Sequence, residues 1–367
     1  MSGTGDTGGA ADVAGLLEGV TRRDWQATDP DEGSVRLAMV GVGWWTRERA
    51  LPAVETAELC ETTTLVSGSP DRAAAVAADY GAEVLTYEEY HDGAEAAEYD
   101  AVYVCTPNAT HLEHVEAAAA HGKAVLCEKP MEASPERAAS LVAACREAGV
   151  ELMVAYRMHT EPAVRRAREL LRRGVVGEPA VVHGTMTQPV LELAGPDAWR
   201  LDPDLVGRGS SLNDIGIYPL NTTRFLLDAD PVAVTASLGS EHDAFEEVPD
   251  ERAAVTVEYG GGVRAAFTAG QNAAFGSFLE VVGTAGRVRV EPAFFPWEDR
   301  SLSVTRGGTT ADVDFEQVDQ MTEEFDYFAD CLLAGRDPHP DGEHGLRDMR
   351  AIEAVYEAAD AGRRIEV

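Results

Sequence analysis

Val35 to Val40 is a short, mostly apolar run, and Gly41-Val42-Gly43 follows it at once. After it come Trp44-Trp45-Thr46 and a helical stretch starting near Ala50. A buried strand, a Gly-x-Gly turn and a helix form the opening of a dinucleotide-binding βαβ unit. Glycine lets backbone amides approach a pyrophosphate, and the following helix points its positive end at it. Thr46 stands where the third glycine of that fingerprint would be. Gly41 and Gly43 are therefore candidate cofactor contacts, with Trp44 and Trp45 beside them and Trp45 the expected cover.

Strand and helix patterns alternate from there to about residue 155, as in a doubly wound parallel sheet. The second strand, Leu59 to Ser67, ends where an Asp or Glu would bind the ribose 2′-hydroxyl of NAD. This chain offers Ser67-Gly68-Ser69 instead, with Arg72 shortly after. Hydroxyls and a guanidinium favour a 2′-phosphate, hence NADP. Thr106-Pro107-Asn108 turns off the next strand into a helix beginning at His111. Thr106, Asn108 and His111 join the cofactor candidates. His111 and His114 lie one turn apart with no further ligands, so no metal is expected.

After Tyr156 the rhythm changes. Strand-like runs crowd together, separated by turns such as Gly260-Gly261-Gly262. Tight turns between consecutive strands make a largely antiparallel sheet. The expected fold class is α/β: a Rossmann doubly wound parallel sheet plus a C-terminal α+β domain with a large open, mostly antiparallel sheet. The expected divisions are a mobile amino-terminal arm over 1–33, a nucleotide domain over 34–155, a substrate and oligomerisation domain over 156–344, and a helix over 345–367 returning to the first domain. The open face of the sheet would need a cover, so a homo-oligomer (dimer or tetramer) is expected through it.

Composition adds a chemical pointer. Only two lysines occur, Lys123 and Lys129, in a chain that otherwise uses arginine. Lys129 follows the strand-like run Ala124 to Cys127 and precedes Pro130, so its ammonium sits at a strand's carboxyl end, where open α/β sheets bind ligands. Lysine is the cation whose pKa moves readily. The 64 acids against 30 bases give a net charge of −34, which argues against nucleic acid or anionic membrane as partner. Spread along the chain, the acids read as a halophilic surface, adapted to a salt-rich cytoplasm. Five cysteines without a C-x-x-C pair read as free thiols in a reducing compartment. No membrane span or export signal is evident, so the expected location is cytoplasmic.

The pieces together resemble the glucose–fructose oxidoreductase / inositol dehydrogenase / rhizopine-catabolism oxidoreductase family, from about Val35 to the carboxyl end. The matching residues are Gly41-Val42-Gly43, Thr106-Pro107-Asn108 with His111, Glu128-Lys129-Pro130, Tyr156-Arg157, and Asp214 to Tyr218. Tyr218 stands where much of the family has histidine, as in its NADP-linked branch of sugar and dihydrodiol oxidoreductases. The paired tryptophans and acidic composition look most like that branch's haloarchaeal D-xylose-oxidising members. The resemblance implies NADP as cofactor, Glu128, Lys129 and Arg157 as further cofactor contacts, and oxidation of a cyclic aldose, D-xylose first, at C1.

In that chemistry a hydride leaves C1 for the nicotinamide while the C1 hydroxyl loses its proton. Tyr218 is the expected base. A free phenol has a pKa of about 10, and the Lys129 ammonium beside it would favour the phenolate. Asp214 would orient the sugar or the lysine. The expected catalytic set is Lys129, Tyr218 and Asp214, with Tyr156 joining them in substrate binding. Competing readings are a glucose–fructose oxidoreductase-like or trans-dihydrodiol reaction in the same branch, and a non-catalytic NADP(H) sensor.

Overall fold

The structure is a computed structural model that describes residue 15 and residues 18–367. A six-stranded parallel sheet comes first. Its strands are β1 (Val35–Val40), β2 (Cys60–Val66), β3 (Glu83–Leu85), β4 (Ala101–Val104), β5 (Ala124–Glu128) and β6 (Leu152–Ala155), in the order β3-β2-β1-β4-β5-β6. The chain winds outward on one side of β1 and then returns to wind on the other. That reversal opens a crevice at the carboxyl ends of β1 and β4.

The helices are α1 (Leu51–Glu55), α2 (Pro70–Tyr80), α3 (Tyr87–His91), α4 (His111–Ala120) and α5 (Pro135–Ala148). Helix α5 shows how local chemistry sets its ends. The Ser134 hydroxyl accepts from the Arg137 N–H, Pro135 occupies the first turn, and Gly149 closes the helix in the left-handed region. Strand side chains alternate between two cores. Val102, Val104, Val125 and Cys127 pack with Val115 of α4 and Leu141 of α5. Leu37, Met39, Tyr103 and Leu126 face the other way, onto Leu51, Val54, Phe325 and Phe328.

The second sheet has nine strands. They are β7 (Pro179–Pro189), β8 (Pro231–Gly239), β9 (Arg252–Tyr259), β10 (Arg264–Gly270), β11 (Asn272–Gly283), β12 (Gly286–Glu291), β13 (Ser301–Arg306), β14 (Thr309–Val313) and β15 (Ile365–Glu366). Their order is β14-β13-β12-β11-β7-β10-β9-β8-β15, antiparallel except where β7 meets β10. Helices α6 (Pro162–Arg172) and α7 (Ile217–Leu227) cover its inner face. The outer face mixes polar, charged and apolar side chains: Thr185 and Thr268 share a hydrogen bond of 2.7 Å, and the Arg289 guanidinium lies 4.1 Å over the Phe278 ring.

Two helices close the chain, α8 (Gln320–Leu333) and α9 (Gly342–Ala361). This changes the expected division at 344. Phe325, Phe328 and Ala329 of α8 belong to the core under the first sheet, so the return to the nucleotide domain begins with α8. Helix α9 then packs against β6, where a Cβ on Gly345 would come within 2.7 Å of a Val154 methyl. The amino-terminal arm also departs from expectation. Arg23 pairs with Glu323 and Asp326 of α8, the N–H groups of Ala27 and Thr28 donate to Asp330 at 2.9 and 2.7 Å, and Trp25 is buried. Charged and apolar contacts thus lay residues 22–28 along α8; residues 1–14, 16 and 17 lie outside the described residues. Among the described residues, no helix is long and apolar enough to cross a membrane.

Candidate active site

Strand β5 delivers Lys129 at its carboxyl end, and the turn before α7 comes to meet it. That turn, Leu212–Gly216, is π-wound, a geometry that widens one helical turn and is frequent at functional sites. The Lys129 Nζ donates to the backbone oxygen of Asp214 at 2.8 Å and to its Oδ1 at 3.3 Å. Asp214 Oδ2 accepts from Gln188 at 3.0 Å, Arg200 at 2.9 Å and Gln271 at 2.9 Å. Burial opposes the charge on Asp214, but Arg200, Lys129 and these amides outweigh it and hold the carboxyl well below the usual range. Burial also pushes the Lys129 ammonium down, against the pull of Asp214 and Glu128. Asp214 is therefore a fixed anion that positions the lysine.

Tyr218, in the first turn of α7, lies against the same lysine. The geometry differs from the expected pairing of ammonium with phenol oxygen. Lys129 Nζ sits over the face of the ring, 4.7 Å from its centroid. The hydroxyl instead accepts from Arg157, which follows β6. Two of the three ammonium N–H groups go to Asp214, and the guanidinium takes the phenol oxygen. Arg157 also donates to Gln320 Oε1 at 2.8 Å and to the Phe294 carbonyl at 2.7 Å. Burial lowers its pKa to about 10, against the opposing field of Glu128 and Glu324.

The other expected site residues divide. Gly41 has φ +94, and a Cβ there would come within 2.3 Å of the Cys105 carbonyl, so the turn after β1 accepts only glycine. Gly43 is exposed with open space around it. Trp44 is exposed, whereas Trp45 is half-buried with its ring 5.3 Å from the Arg157 guanidinium. Ser67 is buried and its Oγ accepts from the Ser69 N–H at 3.1 Å; Ser69 and Arg72 are exposed at the end of β2. Thr106 accepts from the Thr110 hydroxyl at 2.8 Å. Glu128 accepts from the Tyr103 hydroxyl at 2.8 Å and from the Lys129 N–H at 3.1 Å.

Three side chains point elsewhere. Asn108 is buried and donates to the Val206 carbonyl at 3.0 Å, tying the first domain to a loop of the second. The His111 ring spans the Thr106 and Met131 carbonyls at 2.9 and 3.3 Å, so it braces two loops from beneath. Tyr156 packs on His159 and His344, away from Lys129. Adjacent residues leaving a strand point to opposite faces, so Arg157 takes the crevice and Tyr156 cannot. Arg200, Gln188, Gln271, Gln320 and Glu324 carry no sequence signal, because each sits on a different element from its partner.

The β1 turn fits a dinucleotide. Gly41 is forced, Gly43 is open, and β2 ends in hydroxyls with no carboxylate at the ribose position. Fold and site together define a two-domain, nucleotide-dependent oxidoreductase. The family pattern for the oxidoreductase NAD-binding Rossmann fold matches residues 35–156, and that for the GFO/IDH/MocA C-terminal domain matches residues 164–289. The chain belongs to the GFO/IDH/MocA oxidoreductase family. It is 56% identical over 351 residues to the NADP(+) D-xylose 1-dehydrogenase of Haloarcula marismortui, covering 95% of this chain and 97% of the relative. A second such enzyme, from Haloferax volcanii, is 32% identical over 90% of this chain and 98% of its own length. Among solved structures, the aldose-aldose oxidoreductase of Caulobacter crescentus complexed with glycerol superimposes with a TM-score of 0.86 at 31% identity. That match covers 91% of this chain and all of the other, 100%.

Proposed function

We propose that the chain oxidises a cyclic aldose, D-xylose first, at C1 to its aldonolactone, with NADP as hydride acceptor. The observation that carries this reading is the meeting of Lys129, Asp214 and Tyr218 beside the nucleotide turn, in a chain 56% identical to a D-xylose 1-dehydrogenase. NADP, when bound, accepts the hydride from C1. The protein's part is to manage a proton and an oxygen. Lys129, held by Asp214, is the donor to the C1 oxygen. Tyr218, with Arg157 on its hydroxyl oxygen, takes the proton of the C1 hydroxyl. Gly41 and Gly43 admit the pyrophosphate, and Ser67, Ser69 and Arg72 offer polar groups for the 2′-phosphate. The acidic surface and free thiols support work in a salt-rich, reducing cytoplasm. The exposed outer face of the large sheet is the surface through which copies would associate.

A spectrophotometric screen of NADPH formation over pentoses, hexoses and inositols tests the reading. Turnover of D-xylose with added NADP is expected; no turnover of any aldose would overturn it. The likeness to an aldose-aldose oxidoreductase favours one second reading, in which the cofactor stays bound and one sugar oxidises another. Sugar conversion without added NADP would select it.

A further inference from the structure

We propose that Arg157 is the positioning residue that keeps the Tyr218 hydroxyl ready to take a proton, and that α8 holds Arg157 in that pose through Gln320. The proposal rests on Tyr218 acting as the base in the reaction described above. Arg157 is 3% exposed, and its donors are spent on three separate elements: Gln320 of α8, Tyr218 of α7, and the Phe294 carbonyl after β12. Its guanidinium carbon also lies 4.5 Å from the centre of the Tyr218 ring. Two cations thus face this phenol, and they do different things. Lys129 is engaged with Asp214 and touches only the ring face. Arg157 alone addresses the oxygen.

Even lowered to about 10, the Arg157 guanidinium keeps its proton near neutrality, so it is not the base. It can only stabilise the oxygen as that oxygen becomes negative, and a donor fixed there favours the phenolate. A guanidinium held by three partners has no freedom to turn away from the oxygen. The charged and titratable groups around Arg157 include Glu128 from β5, Lys129 at the end of β5, Tyr103 from β4, Glu324 from α8 and Arg300 from the loop before β13. Glu324 is wholly buried, and neither of its oxygens finds a partner among the described residues. It stands one helical turn from Gln320, on the same face of α8. Burial, then the charge of Glu128, pushes its carboxyl well up, against the pull of Arg157.

The test uses full-length protein with ¹³Cζ-labelled tyrosine, titrated by NMR without NADP; Tyr218→Phe identifies the resonance. Arg157→Gln is expected to raise the pH at which Tyr218 ionises by about one to two units. Gln320→Leu, which leaves the charge but frees one side of the guanidinium, is expected to move it the same way by less. The acid limb of kcat/KM should move upward with it. An unmoved Tyr218 titration in folded Arg157→Gln would overturn the proposal. Should that variant fail to fold, an unmoved titration in Gln320→Leu decides against it. Wild-type protein that oxidises no aldose would refute the functional reading alone, because the titration needs no substrate.

Discussion

Replacing Asp214 with asparagine removes the carboxylate paired with the Lys129 ammonium. Unit charges 3.3 Å apart, the separation of Lys129 Nζ and Asp214 Oδ1, attract by ~5 kcal/mol at an effective dielectric constant of 20. Removing one partner of a buried pair costs about 3–5 kcal/mol in practice. Lys129 keeps its bond to the Asp214 backbone oxygen, so the lower end applies, about 3 kcal/mol. Arg200, Gln188 and Gln271 lose their shared acceptor as well, and the new amide presents them with a donor. Urea unfolding followed by circular dichroism, at fixed salt and pH 7, reads the loss. A second consequence concerns protons. Burial already pushes Lys129 down and Asp214 opposes it, so without the anion the ammonium should deprotonate at lower pH. The alkaline limb of kcat should move downward. A loss under about 1 kcal/mol, with the alkaline limb unmoved, would refute the claim that Asp214 is the lysine's anchor.

Other outcomes follow from the same structure. Arg72→Ala should raise KM for NADP by about tenfold or more and leave any NAD activity little changed, since a charged hydrogen bond to phosphate is worth about 1.5–3 kcal/mol. Equal losses with both cofactors would remove Arg72 from the 2′-phosphate site. A net charge of −34 repels itself, and the Debye length falls from about 10 Å at 0.1 M salt to about 3 Å at 1 M, so Tm should climb steadily with KCl. A Tm flat in KCl would contradict a salt-adapted surface. Burial opposes the charge on Glu251, but N–H bonds from Glu241 and His242 outweigh it and lower its carboxyl to about 2. A folded pKa below the unfolded one gives stability that is present above pH ~4.5 and lost on the way down to pH ~2. Glu251→Gln should flatten unfolding free energy against pH across that window, and an unchanged profile would show that Glu251 does not supply it.

What the sequence shows and what it hides divide along chain distance. The Ser134 cap, Pro135 and Gly149 mark α5 because each acts within one turn of its own helix. The Gly41 turn is legible because glycine is the only residue its backbone and the nearby Cys105 carbonyl allow. Strands β13 and β14 are hard to read because Ser301, Ser303, Thr305, Thr309 and Thr310 leave no continuous apolar run. Helix α8 escaped for a different reason. Glu323, Glu324, Asp326 and Asp330 read as a solvated face, yet all four are buried, three of them against Arg23, Ala27, Thr28 and the start of β2. Within the site, Lys129, Asp214 and Tyr218 could be picked out by type and motif. Which cation meets the phenol oxygen could not, because Arg157 is aimed by Gln320, 163 residues away.

Initial rates of NADPH formation from D-xylose, in wild type, Lys129→Met and Tyr218→Phe side by side, test the central claim most directly. The account predicts that wild type turns over and that each variant loses about 10²–10⁴ in kcat, while binding NADP within about threefold of wild type. Variants that oxidise the sugar at close to the wild-type rate would contradict it.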